Sequence, residues 1–222
     1  MLAILPVPAF AIDFKSLLGG LRKPADSFEA WFRAARLDDV TLIQQLLARD
    51  FDPNTIEPER FDTALIVAVR EASMGVFARL LAAPGINLNA QSRNGDTALM
   101  IAAFKSNLPA ARALVEQGAE INRPGWTALH YAASAGENAM VGLLLLHHAY
   151  IDAESPNKTT PLMMAARGGH RATVTLLLEE GADLLARTEL GLHAGDFARS
   201  QGHSALGDFL SARMSDLTQT PR

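Results

Sequence analysis

Apolar residues along this chain come in short recurring bursts separated by polar and glycine-containing stretches. Five bursts align with one another: "DTALIVAV" from Asp62, "DTALMIAA" from Asp96, "WTALHYAA" from Trp126, "TTPLMMAA" from Thr159 and a degenerate "LHAGDFAR" from Leu192. The leading threonines are Thr63, Thr97, Thr127 and Thr160, spaced by 34, 30 and 33 residues, and His193 fills the slot 33 further on. About 14 residues after each of the first four threonines a second apolar stretch begins: "FARLLAAPGINLN", "ARALVEQGAEIN", "VGLLLLHHAYID" and "VTLLLEEGADLL". A period of about 33 residues predicts a stack of repeated units rather than one mixed core.

Each unit reads as two short helices. Threonine ahead of the first burst is a good N-cap, because its hydroxyl accepts an orphan backbone N–H. Pro161 follows one such threonine at the first helical position, where a missing N–H costs nothing. The alanine pairs Ala102–Ala103, Ala132–Ala133 and Ala165–Ala166 let first helices lie close together. Gly136, and Gly168 with Gly169, end these helices where positive φ is needed. In the second helix Val141, Leu144 and Leu145 form a stripe at helical spacing. Gly118–Ala119 and Gly181–Ala182 close it in their own units, and Pro109 is harmless if it opens one. A helix pair of this length cannot bury both faces alone, so it stacks on its copies.

These residues resemble the ankyrin-repeat family. Thr127-Ala128-Leu129-His130-Tyr131-Ala132-Ala133 with Gly136 is similar to the family's T-P-L-H-x-A-A signature, as is Thr160-Pro161-Leu162 through Ala165-Ala166 with Gly169-His170. The family's L-L-x-x-G-A-x-x-N ending is met by Leu114-Val115, Gly118-Ala119 and Asn122, and by Leu177-Leu178 with Gly181-Ala182. The resemblance implies an all-α ankyrin solenoid of helix-turn-helix units with finger loops, about six repeats including two caps. The array spans residues 26–213, with a cap at 26–54, repeats at 55–89, 90–122, 123–152 and 153–185, and a closing cap at 186–213. Residues 12–25 are expected as an N-terminal arm or short helix, with one apolar face over 13–21. Residues 214–222 are expected as a frayed tail.

Departures from the pattern carry information. Asn89 to Thr97 and Asp152 to Thr160 are eight residues apart, whereas Asn122 to Thr127 is five. At about 3.3 Å per extended residue, the three missing residues shorten this finger by roughly 5 Å of reach. Gly95, Gly125 and Gly191 stand two residues before the threonine slot. Phe61 and Lys158 stand there in the other repeats and leave the shape of those turns open.

Composition narrows the chemistry. The 222 residues are 49% hydrophobic and 20% charged, with a net charge of −4, the profile of a folded protein without a cationic surface for nucleic acid. Cysteine is absent, which removes disulfides and thiolate chemistry. No apolar run reaches the length of a membrane-spanning helix. "MLAILPVPAFAID" is apolar through Ile12 and holds Ala9-Phe10-Ala11, a small-x-small pattern that signal peptidase accepts. Residues 1–11 are expected to be the remnant of a secretory signal starting upstream of Met1. The alternatives are an apolar arm packed on the first helices or, less favoured, a membrane anchor. The first reading makes the protein periplasmic, and otherwise it is cytoplasmic.

No phosphate-binding loop, dinucleotide fingerprint, zinc-protease helix or nucleophile elbow is present. Asp38-Asp39 and Glu179-Glu180 read as solvated charge. His130, His170 and His203 hold family slots and are expected to be structural, while His193 is a candidate cap. His147-His148 are adjacent and point about 100° apart on a helix, which is poor metal geometry. No catalytic, cofactor or metal residues are assigned.

The resemblance implies a concave recognition surface built from fingers and first helices. Its exposed positions are expected to be Ser92, Arg93, Asp96, Phe104 and Lys105, then Trp126, Ser134 and Ala135, then Ser155, Thr159 and Arg167. Trp126, beside the shortened finger, is either an exposed anchor or a filler of the gap, with Phe104 as a second anchor and Arg93 and Arg167 flanking the pair. Trp31 is expected in the core. The implied function is a non-enzymatic module binding another protein, as a monomer. It is similar to small exported ankyrin proteins of Gram-negative bacteria. The alternatives are a cytosolic scaffold or effector and, less favoured, an enzyme or metal protein.

Overall fold

The computed structural model describes residues 24–219. The expectations for residues 1–11 and for a helix over 13–21 lie outside the described residues. Among the described residues, twelve helices in six antiparallel pairs run in chain order. The first three pairs are α1 (Pro24–Leu37) with α2 (Val40–Leu47), α3 (Ala64–Arg70) with α4 (Met74–Leu81), and α5 (Ala98–Phe104) with α6 (Leu108–Glu116). They are followed by α7 (Ala128–Ala135) with α8 (Asn138–Leu146), α9 (Pro161–Arg167) with α10 (Arg171–Glu179), and α11 (Ala194–Ser200) with α12 (Ser204–Gln219). First helices pack on first helices and second on second, so the core is a continuous seam between repeats.

The caps follow the sequence. Thr63, Thr97 and Thr160 accept from the amides of Ile66, Met100 and Met163, each at 3.4 Å. His193 stands at the N-cap of α11 without capping through its ring. The Asp196 carboxylate accepts from the His193 amide at 2.9 Å, and His193 Nδ1 faces the Ala186 carbonyl. Pro109 sits in the first turn of α6. Gly136 and Gly169 adopt φ of 75° and 72°, but Gly168 is right-handed at −75° and does not supply the reversal. Residues 214–219 continue α12 rather than fraying, and Met214 packs against the core.

Phe61 and Lys158 adopt φ of 56° and 60°, so both turns copy the glycine geometry with ordinary side chains. His148 does the same at 64°, in the slot held by Gly118 and Gly181. His170 fills a second role for glycine: a Cβ on Gly136 would lie 2.5 Å from its ring. The imidazole of one repeat therefore packs flat against the turn of the one before, and its Nε2 donates to the Ser134 carbonyl at 2.9 Å.

Candidate partner-binding groove

Fingers in adjacent repeats are stapled by backbone. Arg93 N donates to the Arg60 carbonyl, and Glu189 N to that of Asn157. The short finger from Asn122 to Thr127 makes no such rung among the described contacts. Instead, the Arg123 guanidinium reaches back to the Gly95 carbonyl. With the finger drawn in, the first-helix faces behind it stay uncovered.

What is uncovered is an aromatic notch of about 180 Å³ lined by Phe104, Trp126, His130, Tyr131, Ser134 and Met164. Phe104 is 57% exposed and meets Tyr131 edge-on, with centroids 6.1 Å apart. Trp126 is 37% exposed and stands edge-on against His130 at 5.1 Å. Trp126 is thus a wall of the notch: one edge rests on the repeat and the other faces the groove. Trp31 is fully buried against Phe51, as its slot implied.

The polar groups behind the notch are already engaged. Thr127 N can only donate, so His130 Nδ1 accepts its proton at 3.2 Å, and Nε2 carries hydrogen toward the Thr159 carbonyl at 2.9 Å. That arrangement requires the neutral ring, and burial holds the His130 pKa below its usual range against the smaller opposing effect of its backbone hydrogen bonds. Tyr131 donates to Asp96 at 2.6 Å, and burial followed by that carboxylate pushes the phenol above its usual range.

Three of the residues expected to be exposed are internal. Ser92 is buried and its hydroxyl accepts from Asp96 N at 3.1 Å. Ser155 is buried and does the same for Thr159 N at 2.9 Å. Thr159 is buried, donates to Asn157 and offers its carbonyl to His130. For the two serines the physical reason is shared: each finger turn leaves an amide unmatched, and a hydroxyl four residues earlier supplies the acceptor. Asp96 is half-buried beneath Tyr131, and Ser134 and Ala135 are half-buried. Arg93 is exposed but turned away from the notch, stacked over Phe61 at 4.6 Å with a nitrogen on the Pro58 carbonyl. Lys105 and Arg167 are exposed at the C-terminal ends of α5 and α9.

Tyr131 and Met164 were not among the expected site residues. Each stands four residues after its threonine, on the groove face of a first helix, and that shared offset was readable in the repeat alignment. His147 is half-buried, and the His148 carbonyl accepts from the Asn122 amide. Among the described residues, no cluster of three or more His, Asp or Glu is placed to hold a metal ion, and no helix is long and apolar enough to cross a membrane.

Comparison with known proteins places this geometry. The family model for ankyrin repeats (3 copies) matches residues 31–124 and 123–188. The chain is 38% identical over 109 residues to protein fem-1 homolog A-like of Mus musculus, a match covering 47% of this chain and 16% of that protein. It is 32% identical over 156 residues to SH3 and multiple ankyrin repeat domains protein 2 of Homo sapiens, covering 68% of this chain and 8% of the relative. The chain therefore spans only a small part of these relatives' own length. Among solved structures, it is similar to a chain from the predatory endopeptidase Bd0816 of Bdellovibrio bacteriovorus in complex with immunity protein Bd3460. That likeness has a TM-score of 0.72 and 25% identity, over 82% of this chain and 97% of the other. With threonine caps, alanine seams and finger turns recurring in register and a family model covering most of its length, this chain belongs to the ankyrin-repeat family.

Proposed function

We propose that this protein-interaction module grips a protein partner along its concave side, without turnover, and that Trp126 and Phe104 anchor the contact. The observation that carries the reading is the notch itself. Two aromatic rings are left partly bare where a shortened finger uncovers them, on an otherwise well-packed seam. Aromatic residues in desolvated pockets supply a disproportionate share of binding energy. Trp126→Ala is expected to weaken the partner by at least ~2 kcal/mol while the protein stays folded. Affinity capture from the native compartment, wild type against a Phe104→Ala/Trp126→Ala variant, identifies the partner. A partner retained equally by both proteins removes the notch from the interface.

The compartment proposed is the bacterial periplasm, on the strength of the apolar residues 1–12 and the Ala9-Phe10-Ala11 pattern. Release of the protein by osmotic shock of the native host tests it, and retention with cytoplasmic markers rejects it. The solved complex favours a narrower second reading, in which the chain occludes an enzyme as an immunity-type binder. Inhibition of a co-purifying hydrolase by the isolated protein is the measurement that separates this reading from simple scaffolding.

A further inference from the structure

Charge is distributed unevenly along the groove. Near its N-terminal end, Arg36, Arg60 and Arg70 share a cleft with Glu57, Glu59, Asp62 and Glu71, three cations against four anions. Arg36 is bound to Glu57, and Arg70 to the buried Asp62 at 2.9 Å. Around the notch the balance differs. Lys105 and Arg167 are exposed and, among the described residues, neither side chain has an ion pair or a hydrogen bond. Asp96, the carboxylate beside the notch, is occupied by Tyr131. Each cation sits at the C-terminal end of a first helix, where the helix dipole favours positive charge. They keep that position without a carboxylate of their own.

The two cations bracket the notch in register. Phe104, Ser134 and Arg167 hold the same slot, seven residues after their threonines, in three successive repeats, and Lys105 follows Phe104. Packed helices lie about 8–10 Å apart, so two repeats set Lys105 and Arg167 roughly 16–20 Å from each other. At about 3.3 Å per residue, that is the span of five or six residues of extended chain. The notch between them, at about 180 Å³, is of the size that admits a single ring, since a dry cavity of about 150 Å³ holds benzene. Its walls are the edges and faces of Phe104, Trp126 and Tyr131, which favour a further ring in an edge-on or offset contact.

We infer that the partner presents an extended acidic segment, with one aromatic side chain seated in the notch and carboxylates about three residues to either side reaching Lys105 and Arg167. This deepens the reading of the concave face as the binding side and rests on it. The ring supplies the buried contact. The carboxylates fix the register along the groove and speed encounter, as complementary charge does at interfaces.

The test uses the full chain and a phage-displayed library of random twelve-residue peptides as the probe. The expected consensus has Phe, Tyr or Trp with Asp or Glu about three positions before and after it. The most enriched peptide, made synthetically with a fluorescein label, is titrated by fluorescence anisotropy, a readout that does not depend on either tryptophan of the protein. Its affinity is expected to fall about thirtyfold in Trp126→Ala, the size of a hot-spot truncation, and about tenfold in Lys105→Glu/Arg167→Glu. Phe104→Ala, at a more exposed position, replaces the first variant if that one melts early. The charge-reversed protein is expected to select basic flanks around the same aromatic residue.

A consensus lacking the aromatic or the acidic flanks overturns the proposal, as does selection of the same acidic-flanked peptides by the charge-reversed protein. Peptides that lose binding in Arg93→Glu but not in Trp126→Ala overturn the notch while leaving the groove as the binding side. Peptides that lose binding only on substituting the exposed back-face residues Leu146 and Tyr150 overturn both.

Discussion

His130 joins two backbone segments with two ring nitrogens and no charge. It accepts from Thr127 at the start of its own helix and donates to Thr159 in the next finger. Protonating Nδ1 would set one hydrogen against another, and burial disfavours the cation as well. The unfolded chain, by contrast, takes up this proton near pH ~6.5. Below that value the unfolded state binds more protons than the folded state, so stability falls as the pH falls. The slope approaches about 1.4 kcal/mol per pH unit from this one group. Urea titrations at pH 7.5 and 5.5 are expected to show the loss in wild type and a smaller loss in His130→Gln, which starts from lower stability. Equal losses in the two proteins would assign the pH dependence to other groups. Phe61, Lys158 and His148 also act at this scale, tolerating left-handed backbone where glycine costs less.

At the level of the element, the finger is held by one Asn or Asp side chain in each of four successive repeats. Asn54 accepts from Asn87 N and donates to the Gly85 carbonyl, and Asn122 accepts from Tyr150 N and donates to that of His148. In the same slot, Asn89 accepts from Glu120 N. Asp152 holds this slot one repeat later and keeps only the accepting half, from Asp183 N at 2.9 Å. Burial raises its pKa, the amide of Asp183 opposes that shift, and the nearby Asp183 carboxylate adds to it. An asparagine there would regain the donor and lose the repelled charge. Asp152→Asn is therefore expected to stabilise the protein by ~1 kcal/mol at neutral pH, read from the midpoint of a urea titration at constant m-value. The gain should shrink on acidification through the range where Asp152 takes up its proton, because a raised carboxyl pKa destabilises the fold only when the group is ionised.

For the molecule as a whole, stability is distributed along a line. Each first helix contacts the first helices of its neighbours, so a defect in one repeat weakens two interfaces and leaves distant ones intact. Leu144 is fully buried in α8. Leu144→Ala is expected to cost ~2–5 kcal/mol, as cavities in packed cores do. Hydrogen exchange should then lose protection over α5 to α10 before α1 and α2 respond. A uniform loss across all twelve helices would mean that the stack folds as one unit. The open side of the same line is what presents Phe104 and Trp126, drawn from different repeats, in one notch.

The repeat length, the helix pairs, the threonine caps and most of the seam residues were legible along the chain. Each depends on local backbone chemistry or on a periodicity that a linear pattern records. Trp31, Leu144 and the alanine pairs are buried because they hold positions whose burial is the same in every copy. Gly168, by contrast, proved right-handed, and Phe61, Lys158 and His148 took up glycine geometry that their side chains did not announce. The groove was only half legible. Phe104 and Trp126 could be named from register, but Ser92 and Ser155 turned inward because their turns needed an acceptor, Thr159 because its amide and hydroxyl donate within the turn, and Arg93 bent onto Phe61. Tyr131 and Met164 entered the site because a finger three residues short no longer covers them. A deletion is visible in a sequence, but which side chains it bares depends on how neighbouring repeats stand beside it. That depends on contacts between residues about thirty positions apart, which only the packed stack brings together.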